Sequence, residues 1–416
     1  MVAYCAYEHE DNVYGGIDTH KDTHHVAVID EHGRPLGDRE FGATGAGYRK
    51  IIDYLRGFGL VVAVAVEGTG SHGAELARVL RRAGITVLEV ARPERRARRL
   101  HGKSDSLDAR HAAATALSGR GLATPKDRDG LVESMRILLT ERSSARKAQG
   151  AAMNQIHALL VTAPEQIRAA YRTLISAKLV ATLARSRPNS GHGPEQTLWR
   201  SLKRLAVRHQ QHTSIIDEID TRLGELVAQI NPALLQLPGV GPLVAGQLLV
   251  ACGDNPERLT SEQQFAALCG TAPIPASSGK VQRHRLSRGG DRAANSAIHR
   301  IVLVRRTSGD TRTAEYIARR TAEGKSDREI VRCLKRFVAR EVFKVIRNPQ
   351  PVNTAMGRLR QRRRTLSIPI TAAATSLAVP YQRLRRLEIG TRIDAELAIT
   401  YSQWLTEREQ RSFRNS

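Results

Sequence analysis

Four acidic residues carry the first hint of chemistry. Asp18 closes the β-branched run VYGGID (13–18), and Glu67 stands near the end of the otherwise apolar VVAVAVEG (61–68). Asp105 and Asp108 lie in KSDSLDARHAA (103–113), where a spacing of three puts both on one face of a helix. Strand ends and a crossing helix can bring such groups to one point. Four carboxylates there repel one another, and burying them without a partner is unfavourable. Divalent cations resolve the conflict. Mg²⁺ takes hard oxygen ligands and keeps positions for phosphate oxygens, and two such ions can clamp an in-line phosphoryl displacement. Ordinary roles remain open: Asp18 as a turn residue before Thr19, Asp105 as a helix N-cap, Asp108 as a partner of the helix dipole. They do not explain Glu67. Nor do they explain acids within the most basic local stretch, RPERRARRLHGKSDSLDAR (92–110), where Lys103 and Arg110 flank the pair. Acids for metal beside bases for phosphate are what a nuclease site requires.

A second constellation lies downstream. LPGVGP (237–242) has the look of the hairpin in a helix-hairpin-helix, where Gly239 and Gly241 would expose backbone N–H groups to a phosphate. It is followed by FAALCGTAPIPASSGKVQRHRLSRGGDRAANSAIHRIV (265–302), in which Ser277 and Ser278 precede Lys280, Arg283, Arg285, Arg288 and Arg292. A serine hydroxyl is a poor nucleophile unless its proton is removed or a metal or cationic pocket stabilises the alkoxide. The bases would attract a phosphate and offset charge in its transition state. The plain alternative is a surface loop with Ser278 as a turn residue.

The elements that must position these groups follow from periodicity. VYGGID (13–18) and HHVAVID (24–30) read as two arms of a hairpin around THKDT. Helical spacing at Tyr48, Ile51, Ile52 and Leu55, a buried central strand at 61–68, a helix over 72–83 and a strand at 85–90 predict an α/β domain with a mixed sheet. Residues 106–235 read mostly as helix, broken by RPNSGHGP (187–194) into two long helices of an antiparallel arm. Residues 231–348 form a third, helical unit.

The chain has 416 residues, room for two to four domains. Lys plus Arg number 65 against 41 Asp plus Glu, a formal net charge of +24, and such a charge seeks a polyanion, nucleic acid first. Aromatics at 4% argue against binding single strands mainly by base stacking. Cys5, Cys252, Cys269 and Cys333 are scattered without a CxxC pair, which argues against a zinc site or a disulfide framework. No stretch supplies the ~20 apolar residues of a membrane span, and residues 1–12 lack the pattern of a secretion signal. A cytoplasmic location is expected.

GIDTHKD (16–22), VEGTGSHG (66–73) and KSDSLDAR (103–110) resemble the three acidic motifs of the DEDD insertion-sequence transposases of the IS110 family. The resemblance extends over about residues 13–348. It implies a RuvC-like N-terminal domain with a ribonuclease-H fold, and a Mg²⁺-binding tetrad of Asp18, Glu67, Asp105 and Asp108. The second domain of these enzymes has the order seen here: a PGxGP hairpin, an (F/L)AAxxG segment, a Pro, then Ser-Gly and a basic tail. This implies that Ser278 is the nucleophile, with Ser277 as the fallback. The chain departs from the pattern at Ala294 and Asn295, where a Leu-Arg pair is usual. The family further implies a DNA recombinase guided by a noncoding bridge RNA that pairs with target and donor DNA. The tetrad of one subunit would meet the serine of another in a homo-oligomer, dimer or tetramer.

The last ~65 residues depart from the family, whose members usually end near the position of Pro351. RLRQRRR (358–364) reads as a basic linker, and LRRLEIGTRID (384–394) resembles the recognition end of a Cro/repressor-type helix-turn-helix. Arg383, Arg385 and Arg386 would then face DNA. A helical tail packed on the body, or a dimer contact, is the alternative. The expected organisation is α/β plus α: a RuvC-like DEDD nuclease domain over 1–126, a helical coiled-coil arm over 127–235, a serine transposase domain over 236–350, a basic linker over 351–366 and a helix-turn-helix-like module over 367–416. Two other functions compete with the guided transposase. One is a metal-dependent junction-resolving nuclease without a covalent intermediate; the other is a DNA-binding regulator using the C-terminal module.

Overall fold

Two β-branched runs joined by three polar residues pair as a hairpin. β1 (Asn12–Thr19) runs antiparallel to β2 (Thr23–Asp30), with Asp18 opposite His25 and Thr19 opposite His24. The computed structural model describes residues 11–90, 104–276, 284–285, 287, 289–348, 354–388 and 394–414. β3 (Pro35–Gly42) extends the hairpin antiparallel to β2. On the other side of β1 lie the parallel strands β4 (Leu60–Val66) and β5 (Val87–Val90) and the short antiparallel β6 (Leu122–Ala123). The order is β3-β2-β1-β4-β5-β6.

The two faces of this sheet are covered differently. Helices α1 (Gly45–Arg56) and α2 (Ala74–Arg82) bury Ile51, Leu55, Leu76 and Leu80 against Val13, Ile17, Val26 and Val28. α1 is capped by Thr44, whose Oγ1 accepts from the Gly47 N–H at 3.1 Å. Successive strand residues face opposite sides, so Gly16 and Asp18 turn to the other face. There α3 (Asp105–Ser118) lays Ala109, Ala112, Ala113 and Ala116, all buried, onto the sheet.

Gly16 makes this approach possible. A Cβ on it would lie 2.1 Å from both Ala109 O and Ala113 N, backbone atoms that cannot step aside. Gly16→Ala is therefore expected to lift α3, and with it Asp105 and Asp108, away from Asp18. Overpacking of this kind typically destabilises by about 1–3 kcal/mol. The variant should keep its helical circular dichroism and melt several degrees lower. A wild-type melting temperature in Gly16→Ala would contradict the packing argument.

The chain divides into two compact units: residues 1–129 with 253–258, and residues 130–252 with 259–416. The first is the α/β unit above. In it Asn255 donates to Pro125 O at 3.0 Å and accepts from Asp127 N at 2.9 Å. The second is helical. α4 (Leu131–Val161) and α7 (Pro194–Ile230) run antiparallel, as three cross-links show. Arg142 Nε donates to Asp220 Oδ1 at 2.6 Å, Gln149 Nε2 donates to Thr213 Oγ1 at 2.7 Å, and Ile156 shares a core with Leu202 and Ala206. Between them in sequence come α5 (Glu165–Tyr171) and α6 (Ser176–Arg185); α6 adds Leu179, Val180 and Leu183 to that core.

At their other ends the two long helices merge into a larger core. Met135, Leu223 and Leu226 pack with Leu248 of α8 (Pro242–Cys252), Phe265 of α9 (Glu262–Leu268), Ile298 of α10 (Arg292–Thr307) and Val338 of α12 (Asp327–Arg347). The arm and the helical body after residue 236 thus share one apolar interior. α11 (Thr311–Ala322) precedes α12, and a two-residue ladder joins β7 (Ile274–Pro275) to β8 (His284–Arg285). Among the described residues no helix is long and apolar enough to cross a membrane.

The C-terminal helices have a core of their own. α13 (Thr354–Thr365), α14 (Ile370–Ser376), α15 (Tyr381–Glu388) and α16 (Ala395–Arg414) enclose Leu359, Ala373, Leu384, Leu387, Leu397, Tyr401 and Leu405. The segment expected as a basic linker is thus largely helix. Arg363 (8% exposed) forks onto Glu388 (4%), with Nε to Oε1 at 2.7 Å and Nη2 to Oε2 at 3.0 Å, while its Nη1 donates to Ile368 O at 2.6 Å. The Tyr401 hydroxyl donates to Glu388 Oε1 at 2.6 Å. Such a pair is fully compensated, and removing one partner would strand a buried charge. Pro349, Pro351 and the basic run suggested a linker, and the acid that neutralises Arg363 lies 25 residues further on.

Candidate active site

Asp18 sits at the end of β1, beside the point where β4 ends. The Glu67 N–H donates to Ile17 O at 2.9 Å, and Glu67 O accepts from Thr19 Oγ1 at 2.8 Å. This fixes the backbone of Glu67, half-buried, in the turn directly after β4, beside the end of β1. On the α3 face, Ser104 caps the helix by accepting from the Leu107 N–H at 3.3 Å. Asp105 is therefore not the cap, and its carboxylate is available for another purpose. It meets Asp18 through His20 in the hairpin turn. His20 Nε2 lies 3.1 Å from Asp18 Oδ2 and 3.3 Å from Asp105 Oδ1.

The electrostatics fit a cation. Asp18 is 7% exposed, and burial pushes its carboxyl above the usual range; the like charges of Asp108 and Asp105 add to that, while His20 opposes it. Ligand atoms of Asp18, His20 and Asp105 lie within 4.8 Å of one another, close enough to share one ion. Asp108, one turn along α3, contributes through its field at Asp18. The donor set is mainly carboxylate oxygen, as a hard divalent cation requires.

A second network braces this corner. Asp38 of β3 accepts from Ser106 Oγ at 2.9 Å and from Arg110 Nε at 3.0 Å, and His25 Nε2 lies 3.4 Å from its other oxygen. Hydrogen bonds from Arg110 and Ser106 hold the Asp38 carboxyl below the usual range. Arg110, expected to meet nucleic acid, thus ties α3 to the edge strand, with its side chain about half exposed. His20 and Asp38 were not foreseen from sequence. His20 stood within GIDTHKD, where a turn histidine is unremarkable; Asp38 lies on a strand whose PLGDREFG pattern does not announce one.

Of the serine constellation, Ser277, Ser278, Lys280, Arg283 and Arg288 lie outside the described residues, as does Lys103. Their frame is described. Arg285 on β8 and Arg292 at the start of α10 are exposed. Asp291 caps α10 by accepting from the N–H groups of Ala293 and Ala294 at 2.8 and 3.0 Å. The two departures from the family pattern both have structural roles. Ala294 is buried in the core, and Asn295 Nδ2 donates to Cys269 O at 2.7 Å while its Oδ1 accepts from Lys335 Nζ at 2.7 Å. Burial pushes the Lys335 ammonium below its ordinary range.

Gly239 takes φ +80° in the turn before α8, its Cα facing Ile301 O of α10. Arg305 Nε donates to Pro238 O at 2.8 Å and so holds that turn onto α10. Gly241 faces open space. In the C-terminal module Arg383 pairs with Asp394 at 2.8 Å, Arg385 is exposed, and the Arg386 side chain lies outside the described residues.

Comparison with known proteins decides the family. Residues 15–163 match the family model of the DEDD IS110 transposases, and residues 231–318 match that of the transposases of the IS116/IS110/IS902 family. The chain belongs to the IS110 family of transposases. It is an enzyme of the insertion-sequence transposase class, with DNA as its partner. It is 26% identical over 374 residues to an uncharacterized 42 kDa protein of insertion element IS900 from Mycobacterium paratuberculosis, covering 78% of this chain and 93% of that one. A mini-circle protein for IS117 from Streptomyces coelicolor is 27% identical over 328 residues, 64% of this chain and 78% of its own length. A transposase for IS1328 from Yersinia enterocolitica is 26% identical over 285 residues, 67% of this chain and 79% of its own.

Proposed function

We propose that this transposase cleaves and exchanges DNA strands with a divalent-metal site of Asp18, Glu67, Asp105 and Asp108 and with Ser278 as nucleophile. The observation that carries the reading is the meeting of Asp18 and Asp105, with Asp108 close by, at the end of β1 and beside the backbone of Glu67. A central hairpin, two parallel strands, acids at neighbouring strand ends and a helix crossing that face support a RuvC-like domain of ribonuclease-H type. A bound Mg²⁺ would neutralise charge on phosphate oxygens. The Ser278 hydroxyl attacks the phosphorus, an Oγ–P bond forms, and the P–O3′ bond breaks. The proton passes to the departing 3′-oxygen, leaving a 5′-phosphoserine link and a free 3′-hydroxyl. A 3′-hydroxyl of the other duplex then attacks the phosphoserine, which returns the serine and joins the strands.

The basic surface suits a chain that holds nucleic-acid backbones and leaves sequence to base pairing, as in guided systems. The family resemblance supplies the guide, a noncoding bridge RNA, and a homo-oligomeric assembly, dimer or tetramer, in which subunits share the work. The test is strand exchange between donor and target duplexes with the purified chain. Each of two omissions, the divalent cation and the RNA transcribed from the noncoding DNA flanking the gene, should stop exchange. Exchange that persists without RNA would remove the guided part of the reading.

The C-terminal module supports a further DNA contact. α14 and α15, joined by a four-residue turn, have the arrangement of a helix-turn-helix, and Tyr381 and Arg385 are exposed on α15 at a spacing of one turn. Arg385→Glu is expected to weaken duplex binding about tenfold at low salt and to flatten its salt dependence. Unchanged affinity and salt slope, both in this variant and after deletion of 367–416, would exclude a DNA-binding role.

A further inference from the structure

We infer that His20 is a metal ligand, so that the ion held by Asp18 and Asp105 lies in a mixed nitrogen–oxygen set and a transition ion that accepts imidazole, such as Mn²⁺, binds there more tightly than Mg²⁺. The inference rests on the reading of Asp18 and Asp105 as metal-binding acids and extends it to a nitrogen donor and a preferred ion.

Geometry is the first argument. His20 Nε2 stands 3.1 Å from Asp18 Oδ2 and 3.3 Å from Asp105 Oδ1, and the three ligand atoms fall within 4.8 Å of one another. An octahedral ion with bonds of about 2.1 Å places adjacent ligand atoms about 3 Å apart. The imidazole nitrogen is thus already spaced from each of the two carboxylate oxygens like a neighbouring vertex of one coordination shell.

The second argument is how the residue that carries the imidazole is held. The backbone N–H of His20 donates to Thr23 O at 2.9 Å and closes the turn of the hairpin that carries Asp18. Asp105 is set by the first turn of α3, whose cap is Ser104. Each donor therefore stands on a backbone element fixed independently of the ion, which lowers the entropy of assembling the site. The Asp18 side chain is 9% exposed and that of His20 41%. The His20 side chain is thus the more open of the two, which leaves a way in for an ion and for a phosphate oxygen to complete its shell.

Chemistry supplies the preference. Mg²⁺ takes oxygen ligands and dehydrates reluctantly, whereas imidazole suits the divalent transition ions from Fe²⁺ to Zn²⁺; Mn²⁺, at the weak end of that series, still favours carboxylate oxygen but sheds water more readily than Mg²⁺ and accepts a nitrogen donor. The same short contacts would also arise if the ring merely bridged two carboxylates and gave way when an ion arrived. The two cases differ in whether nitrogen stays bound.

The test uses the full chain without nucleic acid, titrated with Mn²⁺ and followed by electron paramagnetic resonance, with pulsed detection of coupling to nitrogen. Calorimetry with Mn²⁺ and with Mg²⁺ runs in parallel on wild type, His20→Ala and Asp18→Asn. Expected are tighter Mn²⁺ than Mg²⁺ binding in the wild type and coupling to one imidazole nitrogen. In His20→Ala the coupling should vanish and Mn²⁺ affinity fall about tenfold or more, with Mg²⁺ affinity changed far less. Mn²⁺ that depends on Asp18 yet shows no nitrogen coupling, or coupling that survives in His20→Ala, would overturn the role of His20 and leave the acidic site standing. Mn²⁺ binding unchanged in Asp18→Asn would instead overturn the acidic site itself.

Discussion

Ser278→Ala is expected to reduce strand exchange by about 10³-fold or more while leaving affinity for duplex DNA within twofold of wild type. The substitution removes one oxygen and no charge. Affinity should survive because the positive charge that attracts nucleic acid is dispersed along the chain, with Arg285 and Arg292 exposed close to this serine in sequence. Activity should not survive, because alanine offers no atom able to form a bond to phosphorus. Strand exchange on gels and filter binding across a range of salt measure the two quantities separately. Ser277→Ala is the control, since the hydroxyl is moved by one residue between the two candidates. Normal exchange by Ser278→Ala with loss in Ser277→Ala would shift the nucleophile by one position. Normal exchange in both would remove the serine chemistry altogether.

The second large effect belongs to the acids. Asp18→Asn and Asp105→Asn should each lower divalent-dependent cleavage by about 10³-fold, because an amide of the same shape is a neutral, weaker ligand and several kcal/mol of charge stabilisation depend on the ion. Stability should move the other way for Asp18→Asn. Burial and the neighbouring charges of Asp108 and Asp105 raise the Asp18 carboxyl, so its ionised form is disfavoured in the folded state. A group raised in this manner favours folding at low pH and loses that contribution as pH rises through its folded value. The amide has no charge to lose. Without metal, Asp18→Asn should therefore melt at or above the wild-type temperature, and its advantage should grow from pH 4 to pH 7. Thermal melts with and without Mg²⁺ check this. A variant that is both inactive and less stable at neutral pH would mean that Asp18 is structural.

Sequence pattern announced the acids that the fold brings together better than it announced what braces them. The β1–β2 hairpin was legible because two β-branched runs flank a short polar turn, and the spacing of Asp105 and Asp108 placed both on one helix face. β3 was not legible. It is a largely exposed edge strand with Pro35, Gly37 and Gly42 in eight residues, so it carries almost no alternating signal. Two of its contributions, the anchoring of Arg110 and the approach of His25 to Asp38, were invisible for the same reason. Whether Asp105 served as a cap could not be settled from SDS (104–106), since Ser and Asp are both strong caps. The backbone of α3 assigns that task to Ser104. Gly16 reads in sequence as one of two glycines in a strand. Its purpose emerges only when Ala109 and Ala113 arrive from more than 90 residues away. Arg363 resembled its neighbours in a basic run until folding brought Glu388 and Tyr401 to it.

An acidic metal site working with a serine that takes the DNA strand onto itself would leave a covalent product that can be observed. The measurement is to stop exchange early with a nicked or mismatched substrate, digest protein and DNA, and locate the nucleotide-bearing peptide by mass spectrometry. The expected product is a 5′-phosphate joined to Ser278, formed only when divalent cation is present and absent in Asp105→Asn. Full strand exchange with no protein-bound nucleotide, or with the nucleotide on another residue, would contradict it.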